Sequence, residues 1–360
     1  MDHRGRLRSL QHSLYVHKFD ILLVTHLPNI RYLCGFTGSS GVLAVSERAC
    51  VFFTDGRYTA QARAEVRGAR VVIAQKSALI AAAEWIKSRA KGLRRIGIEG
   101  EHLTVSSRNL LAANLGSGPR LKEAPPLIEQ ARRVKDVDEV RHIREAVLLG
   151  ASLFEVARQT IRPGVTEIEV AAEMEFAARR AGAEAMSFET IIAAGERSAL
   201  PHGRASEAGI PVQGFVVCDF GVILAGYCSD MTRTLYVGRP DESARRMYEA
   251  VREAQQAGVE AVRPGVTVGE LDQLVRKALK KSRLDKYFTH STGHGVGLEI
   301  HEAPRIAAGQ RETLLPGMVI TIEPGVYVPG KWGVRIEDMV VVTKNGSEVL
   351  TPTSKELVAL

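Results

Sequence analysis

The pentapeptide Arg162-Pro163-Gly164-Val165-Thr166 returns as Arg263-Pro264-Gly265-Val266-Thr267, 101 residues further along the chain. An alanine-rich helical stretch precedes each copy, a helix starting at the Thr follows, and strand-rich sequence comes later in both. Pro-Gly ends one helix and Thr opens the next. A chain that repeats this stop and restart in matching surroundings is constrained to two related halves, each with helices and then strands. Two such halves can share a sheet with helices on its outer side. The space between them is a natural place for a site.

The duplicated part is not the whole chain, which at 360 residues is long for one core. Ahead of it, residues 19–24, 41–45, 49–54, 71–74 and 95–98 read as short strands. Residues 78–91 and 106–115 read as helices, so this part is an α/β domain. Gly116-Ser117-Gly118-Pro119, followed by Pro125-Pro126, is turn-rich and marks the expected domain edge. The expected division is 1–130 and 131–360. The second unit opens on a helix expected to start at an Asp138 cap and run through Ala157, with Val140, Ile143, Val147, Phe154 and Ala157 on one stripe.

The strongest chemical signal is electrostatic. Val216-Val217-Cys218-Asp219-Phe220 is a strand with an acid near its centre, and Ser229-Asp230-Met231-Thr232 begins another. A two-residue loop at Leu224-Ala225 would set Asp219 directly opposite Asp230, where like charges destabilise a strand pair. The second half repeats the arrangement: Glu323 and Glu337 are equidistant from Gly330 and should face each other. Four carboxylates on apolar strands are costly unless something offsets them. Protonation could neutralise one or two, and a basic side chain could pair with another. Bound cations answer the whole set at once. The segment from His290 through His294 to His301 is rich in glycine and supplies imidazoles, and His202 sits in the turn-like Pro201-His202-Gly203. Hard oxygen ligands with one or two imidazoles suit Mn, Co, Zn or Fe(II).

Other classes fall away. The formal charge of +7 comes from scattered basic residues without interleaved aromatics, so no nucleic-acid partner is expected. No apolar run approaches the ~20 residues that span a bilayer, and the arginine-bearing start does not read as a secretory signal, so a cytoplasmic chain without a membrane partner is expected. Cys34, Cys50, Cys218 and Cys228 lack a CxxC spacing and read as reduced thiols. Asp219-Phe220-Gly221 lacks the phosphate loop and catalytic segment of a kinase.

Taken together, Pro201-His202-Gly203, Asp219-Phe220-Gly221, Tyr227-Cys228-Ser229-Asp230-Met231-Thr232-Arg233-Thr234, Gly293-His294-Gly295-Val296-Gly297, His301-Glu302, Ile322-Glu323-Pro324-Gly325 and Arg335-Ile336-Glu337-Asp338 resemble the metal-dependent proline peptidases with the pita-bread catalytic fold, aminopeptidase P and prolidase. The resemblance covers nearly the whole chain and implies an α/β N-terminal domain of the creatinase/prolidase kind before an α+β catalytic domain of two pseudo-symmetric halves. It also implies two divalent metal ions, Mn first, held by Asp219, Asp230, His294, Glu323 and Glu337, with Asp230 and Glu337 bridging. His202 and His301 would meet the substrate carbonyl, His290 would line the proline site, and Glu323 would also carry a proton to the leaving nitrogen. Arg335 and Tyr327 match residues beside the ligands. The implied partners are a proline-containing peptide and a second copy of the chain, as a homodimer.

The resemblance divides over the substrate. Phe36-Thr37-Gly38-Ser39-Ser40-Gly41 and Thr54-Asp55-Gly56-Arg57-Tyr58 look like aminopeptidase P, which gives the leading reading: an Xaa-Pro aminopeptidase. His301-Glu302-Ala303-Pro304-Arg305-Ile306 looks like prolidase, whose arginine at the position of Arg305 can hold the free carboxylate of a dipeptide. The alternative is therefore an Xaa-Pro dipeptidase. A peptide-binding relative that has lost its metals is a further alternative, against which all five ligand positions stand.

Overall fold

The structure is a computed structural model that describes residues 1–89, 93–116 and 118–360. Its chain divides into two compact units, Met1–Arg132 and Arg133–Leu360. No helix among the described residues is long and apolar enough to cross a membrane.

The first unit runs α1 (His3–Val16), β1 (Ile21–Val24), α2 (Leu27–Cys34), β2 (Val42–Ser46), β3 (Cys50–Asp55), α3 (Thr59–Glu65), β4 (Arg70–Ala74), α4 (Ala78–Lys87), β5 (Arg95–Glu99), α5 (Val105–Leu115), β6 (Arg120–Ala124) and α6 (Leu127–Arg132). Its sheet has the order β4-β3-β2-β1-β5-β6, antiparallel from β1 to β3 and parallel elsewhere. The apolar run Ile21-Leu22-Leu23-Val24 is buried throughout, as a central strand covered on both faces should be. The expected helix over 78–91 is described only to Lys87 as helix, and Ala90 and Lys91 lie outside the described residues. Of the turn-rich sequence, Pro125-Pro126 lies just ahead of the boundary at Arg132, whereas Gly116 lies inside the first unit. Gly116 follows α5, and β6 then pairs with β5 inside the same sheet.

The second unit begins with α7 (Val137–Thr160) and α8 (Glu167–Arg180). The strands β7 (Ala185–Met186), β8 (Ile191–Ala194), β9 (Gly214–Phe220), β10 (Val222–Leu224), β11 (Tyr227–Cys228) and β12 (Met231–Val237) follow. The second half repeats the plan with α9 (Glu242–Ala261), α10 (Val268–Lys281), β13 (Gly293–Gly295), β14 (Glu302–Ile306), β15 (Val319–Ile322), β16 (Gly325–Tyr327), β17 (Gly333–Arg335), β18 (Asp338–Val342) and β19 (Ser347–Val349). The cap of α7 is Asp136 and not Asp138, because Glu139 returns a hydrogen bond to the Asp136 amide and closes a capping box.

The repeated pentapeptide has the same structure twice. Gly164 and Gly265 take φ of 87° and 88°, a left-handed turn that glycine adopts without cost. Their amides donate to the carbonyls of Ile210 and Leu314. Thr166 and Thr267 each cap a helix in a capping box, with Glu169 and Glu270. Each helix pair packs on the strands of its own half, and α7 and α9 also meet strands of the other half through Ile143 and Val147 and through Tyr248 and Val251. Residues Leu153, Val170 and Met174 cover β9 from one side, and Val259, Leu271 and Val268 cover β15.

Candidate active site

The site is built on two hairpins. In the first, the turn is Ala225-Gly226, both with positive φ (49° and 78°), and not Leu224-Ala225. The turn moves by one residue and every partner by two, so Asp219 lies opposite Thr232 and not Asp230. A shift of two keeps each side chain on its face. Asp230 therefore remains a diagonal neighbour of Asp219 on the same side.

In the second hairpin, one register runs through both ladders: Ile322 pairs with Asp338 and Gly325 with Arg335. The ladder is broken at Glu323-Pro324 and Ile336-Glu337, because proline has no N–H to give. The freed amides are used elsewhere. Glu323 donates to the carbonyl of Thr292 and Glu337 to that of Thr232. Both carboxylates thus leave the sheet at one place, anchored to strands of the site.

The imidazole of His294 lies 3.4 Å from Glu323 Oε1 and 3.6 Å from Asp230 Oδ2 through Nε2. One donor atom each from Asp230, His294 and Glu337 falls within 4.8 Å of the others. Asp219 joins them through Arg335, whose Nη2 donates to Asp219 Oδ2 at 2.5 Å. Thr232 Oγ1 donates to Glu337 Oε2 at 2.7 Å and accepts from Arg335 Nε at 3.1 Å. Arg335 Nη1 also reaches the Tyr327 hydroxyl and the Pro201 carbonyl, at 2.5 and 3.0 Å.

The electrostatics of this cluster are unbalanced. Burial, and then the neighbouring Glu337, Asp219 and Glu323, push the Asp230 carboxyl well above its ordinary value. Burial, then Glu323 and Asp219, do the same to Glu337. Burial raises Glu323 to about 7. Arg335 is the cation that all three feel, and it contacts only Asp219 among the four acids. One guanidinium does not balance four carboxylates.

Three further features fit cations. Asp219 Oδ1 and Glu337 Oε1 are buried with no hydrogen-bond partner among the described residues, each a cost of ~1–3 kcal/mol if left so. His294 Nδ1 donates to the Gly295 carbonyl at 3.0 Å, which leaves the Nε2 lone pair facing carboxylate oxygens. Burial holds this imidazole below its usual pKa, so protonation does not relieve the contact. A cation between these oxygens and Nε2 relieves all three. Four carboxylates and one imidazole suit a borderline-hard divalent ion.

The remaining expected residues flank this cluster. His301 stacks edge-on against His294, ring centroids 4.4 Å apart. His290 Nδ1 donates to the Ser291 carbonyl, so its Nε2 accepts from the Tyr327 hydroxyl at 3.0 Å. Burial, helped by Arg335, takes His290 down to about 4, and burial takes Tyr327 up to about 12. The pair is neutral at physiological pH. His202 is exposed, follows the Pro201 carbonyl that Arg335 binds, and is close enough to influence His290 and His301. Arg305 is opposite His294 in the β13–β14 ladder, exposed, with no ion pair among the described residues.

Sequence reasoning missed the supports. In sequence Thr232 stands out only as part of a motif. Arg276 on α10 donates to the carbonyls of Phe288 and His290 and to buried Asp272, which also holds Thr292. Arg233 reaches the Glu337 carbonyl at 2.5 Å and Asp338 at 2.7 Å. A buried Asp272 four residues before Arg276 on an otherwise apolar helix face was the available signal.

Comparison with known proteins agrees with this geometry. Residues 6–134 match the creatinase/prolidase N-terminal domain. An Xaa-Pro dipeptidase of Pyrococcus horikoshii is 38% identical over 347 residues, 94% of each chain. The solved structure of an Xaa-Pro dipeptidase from Bacillus anthracis superposes with a TM-score of 0.94 at 41% identity, covering 100% of this chain and 99% of that one. An X-Pro aminopeptidase from Thermotoga maritima gives 0.88 at 33%, covering 97% and 100%. Residues 141–344, which hold both hairpins and the four clustered carboxylates, match metallopeptidase family M24, and the chain belongs to that family.

Proposed function

We propose that this peptidase is an Xaa-Pro dipeptidase working with two divalent cations, Mn or a similar ion, held by Asp219, Asp230, His294, Glu323 and Glu337. The leading reading from sequence, an aminopeptidase, gives way for two reasons. The dipeptidases described above are the more similar relatives. The segments that favoured the aminopeptidase are also occupied with each other: Ser39 Oγ and Tyr58 OH are 2.6 Å apart, Thr54 Oγ1 donates to the Ser40 carbonyl, and Phe36 meets Tyr58 edge-on. They account for packing of the first unit and need no substrate.

The observation that carries the dipeptidase reading is Arg305. Its guanidinium is exposed, without an ion pair among the described residues, on the strand beside His294. A free guanidinium there suits the carboxylate of a C-terminal proline, bound by two parallel hydrogen bonds.

Bound cations supply Lewis acidity and make water nucleophilic at neutral pH. His301 and His202 donate toward the oxygen of the carbonyl before proline as negative charge grows there. Glu323 would take a proton from the attacking water and pass it to the departing nitrogen. Neutral His290 and Tyr327 offer the proline ring an uncharged wall.

The test is turnover of Ala-Pro against Ala-Pro-Ala with added Mn, with and without chelator. Dipeptide hydrolysis that chelator abolishes, with little tripeptide turnover, is expected. Arg305→Ala should raise KM for Ala-Pro about tenfold to a hundredfold, the loss of a charged hydrogen bond. Preferred turnover of the tripeptide would return the enzyme to the aminopeptidases.

A further inference from the structure

Lys135 and Glu302 form an ion pair at 3.1 Å whose side chains are 1% and 6% exposed. A buried pair of this kind adds little stability over two apolar side chains, because desolvation consumes most of the attraction. Its geometry points to a different use. Glu302 follows His301 directly, and its carboxylate is divided between two tasks. Oε2 takes the Lys135 ammonium, while Oε1 accepts the backbone N–H of Glu299 at 3.1 Å. The carboxylate thus fills the inside of the turn that runs from Gly295 to His301. A Cβ on Gly297 would come within 2.6 Å of Glu302 Oε2, so glycine is required for the carboxylate to sit there. The same turn is held from outside by the Cys228 amide on the Gly297 carbonyl. Lys135 is itself fixed, its amide donating to the Gly317 carbonyl.

We propose that Lys135 and Glu302 are positioning residues that set the turn carrying His301, and so the placement of that imidazole beside His294. The consequence for rate rests on the role given to His301 above. The consequence for the turn does not. Misplacing a group by about 1 Å can cost a hundredfold in rate.

Four variants test this: Lys135→Met, Glu302→Gln, the double variant Lys135→Met/Glu302→Leu, and Lys135→Arg. Each single removal takes one charge of the buried ion pair away from the other and should lower Tm. The double variant removes both charges and should recover Tm. Its kcat should nevertheless remain about tenfold to a hundredfold low, with KM and bound metal near wild type. Hydrogen exchange at the Glu299 amide should be faster in the double variant. Lys135→Arg should restore both kcat and slow exchange. If kcat returns together with Tm in the double variant, the pair is merely structural and the proposal fails. Unchanged exchange at Glu299 overturns it as well, whatever the substrate proves to be. Fast exchange with unaltered kcat would keep the anchoring of the turn and overturn its effect on His301. If wild type hydrolyses neither Ala-Pro nor Ala-Pro-Ala, the function above fails, while the exchange result still decides the turn.

Discussion

Thr232 stands between charges of opposite sign, giving its proton to Glu337 and its lone pair to Arg335. Valine has the same shape and neither capacity. Thr232→Val should weaken metal binding about tenfold to a hundredfold, as loss of a group that orients a ligand does, and Thr232→Ser should recover most of it. Calorimetric titration with Mn distinguishes the two. Asp230→Ala and Glu337→Ala act more directly. Activity should fall by about a hundredfold or more in each, while circular dichroism stays native. With chelator present, the same variants should melt higher than wild type, since each removes a buried carboxylate pushed upward by its neighbours. A lower Tm in the chelated variants would show that the acids do not repel one another in the folded chain.

Elements were legible from sequence to the degree that their apolar pattern is local. Strands β1 to β5 follow continuous apolar runs, and α7 to α10 follow the repeated Pro-Gly stop and Thr cap. α1 is hard to see in sequence because its composition is polar, although Leu7, Leu10 and Leu14 form the buried stripe. β6, Arg-Leu-Lys-Glu-Ala, carries no apolar alternation because it is an edge strand, and charges protect an edge. The four acids were legible as a cost, and their face survived a wrong turn because the error moved partners by two. What sequence could not give is who balances whom: Arg335 on Asp219, or Lys135 on Glu302, join residues more than a hundred positions apart. The duplicated caps can be compared directly. Thr166→Ala and Thr267→Ala should each cost about 1 kcal/mol in urea unfolding. A much larger effect at one site would mean that the two halves do not rely on their caps alike.

For the whole molecule, pH and metal should act against each other. Asp230, Glu323 and Glu337 have folded pKa values raised above those of the unfolded chain. The metal-free native state therefore holds protons that the unfolded state releases, and its stability falls as pH rises from the ordinary carboxylate range through about 7 for Glu323. Chelated protein should melt higher at pH 5.5 than at pH 7.5, both roughly within that window. Saturating Mn should raise Tm most at the upper end and flatten or reverse the trend, because binding to the folded state alone stabilises it. A chelated protein whose Tm climbs with pH over this range would contradict the crowded-carboxylate account.

The hydrogen bonds freed where the second hairpin breaks lead beyond stability. Glu337 gives its amide to Thr232, and Arg335 gives its own to Thr234, so the later half is stitched to the earlier one at the very residues that do chemistry. A lone half would own two acids, one wall of the cleft and a set of unanswered backbone groups. Neither half therefore completes the cluster by itself. The two halves are nonetheless unlike: the first brings Asp219, Asp230 and His202, the second His290, His294, His301, Glu323 and Glu337.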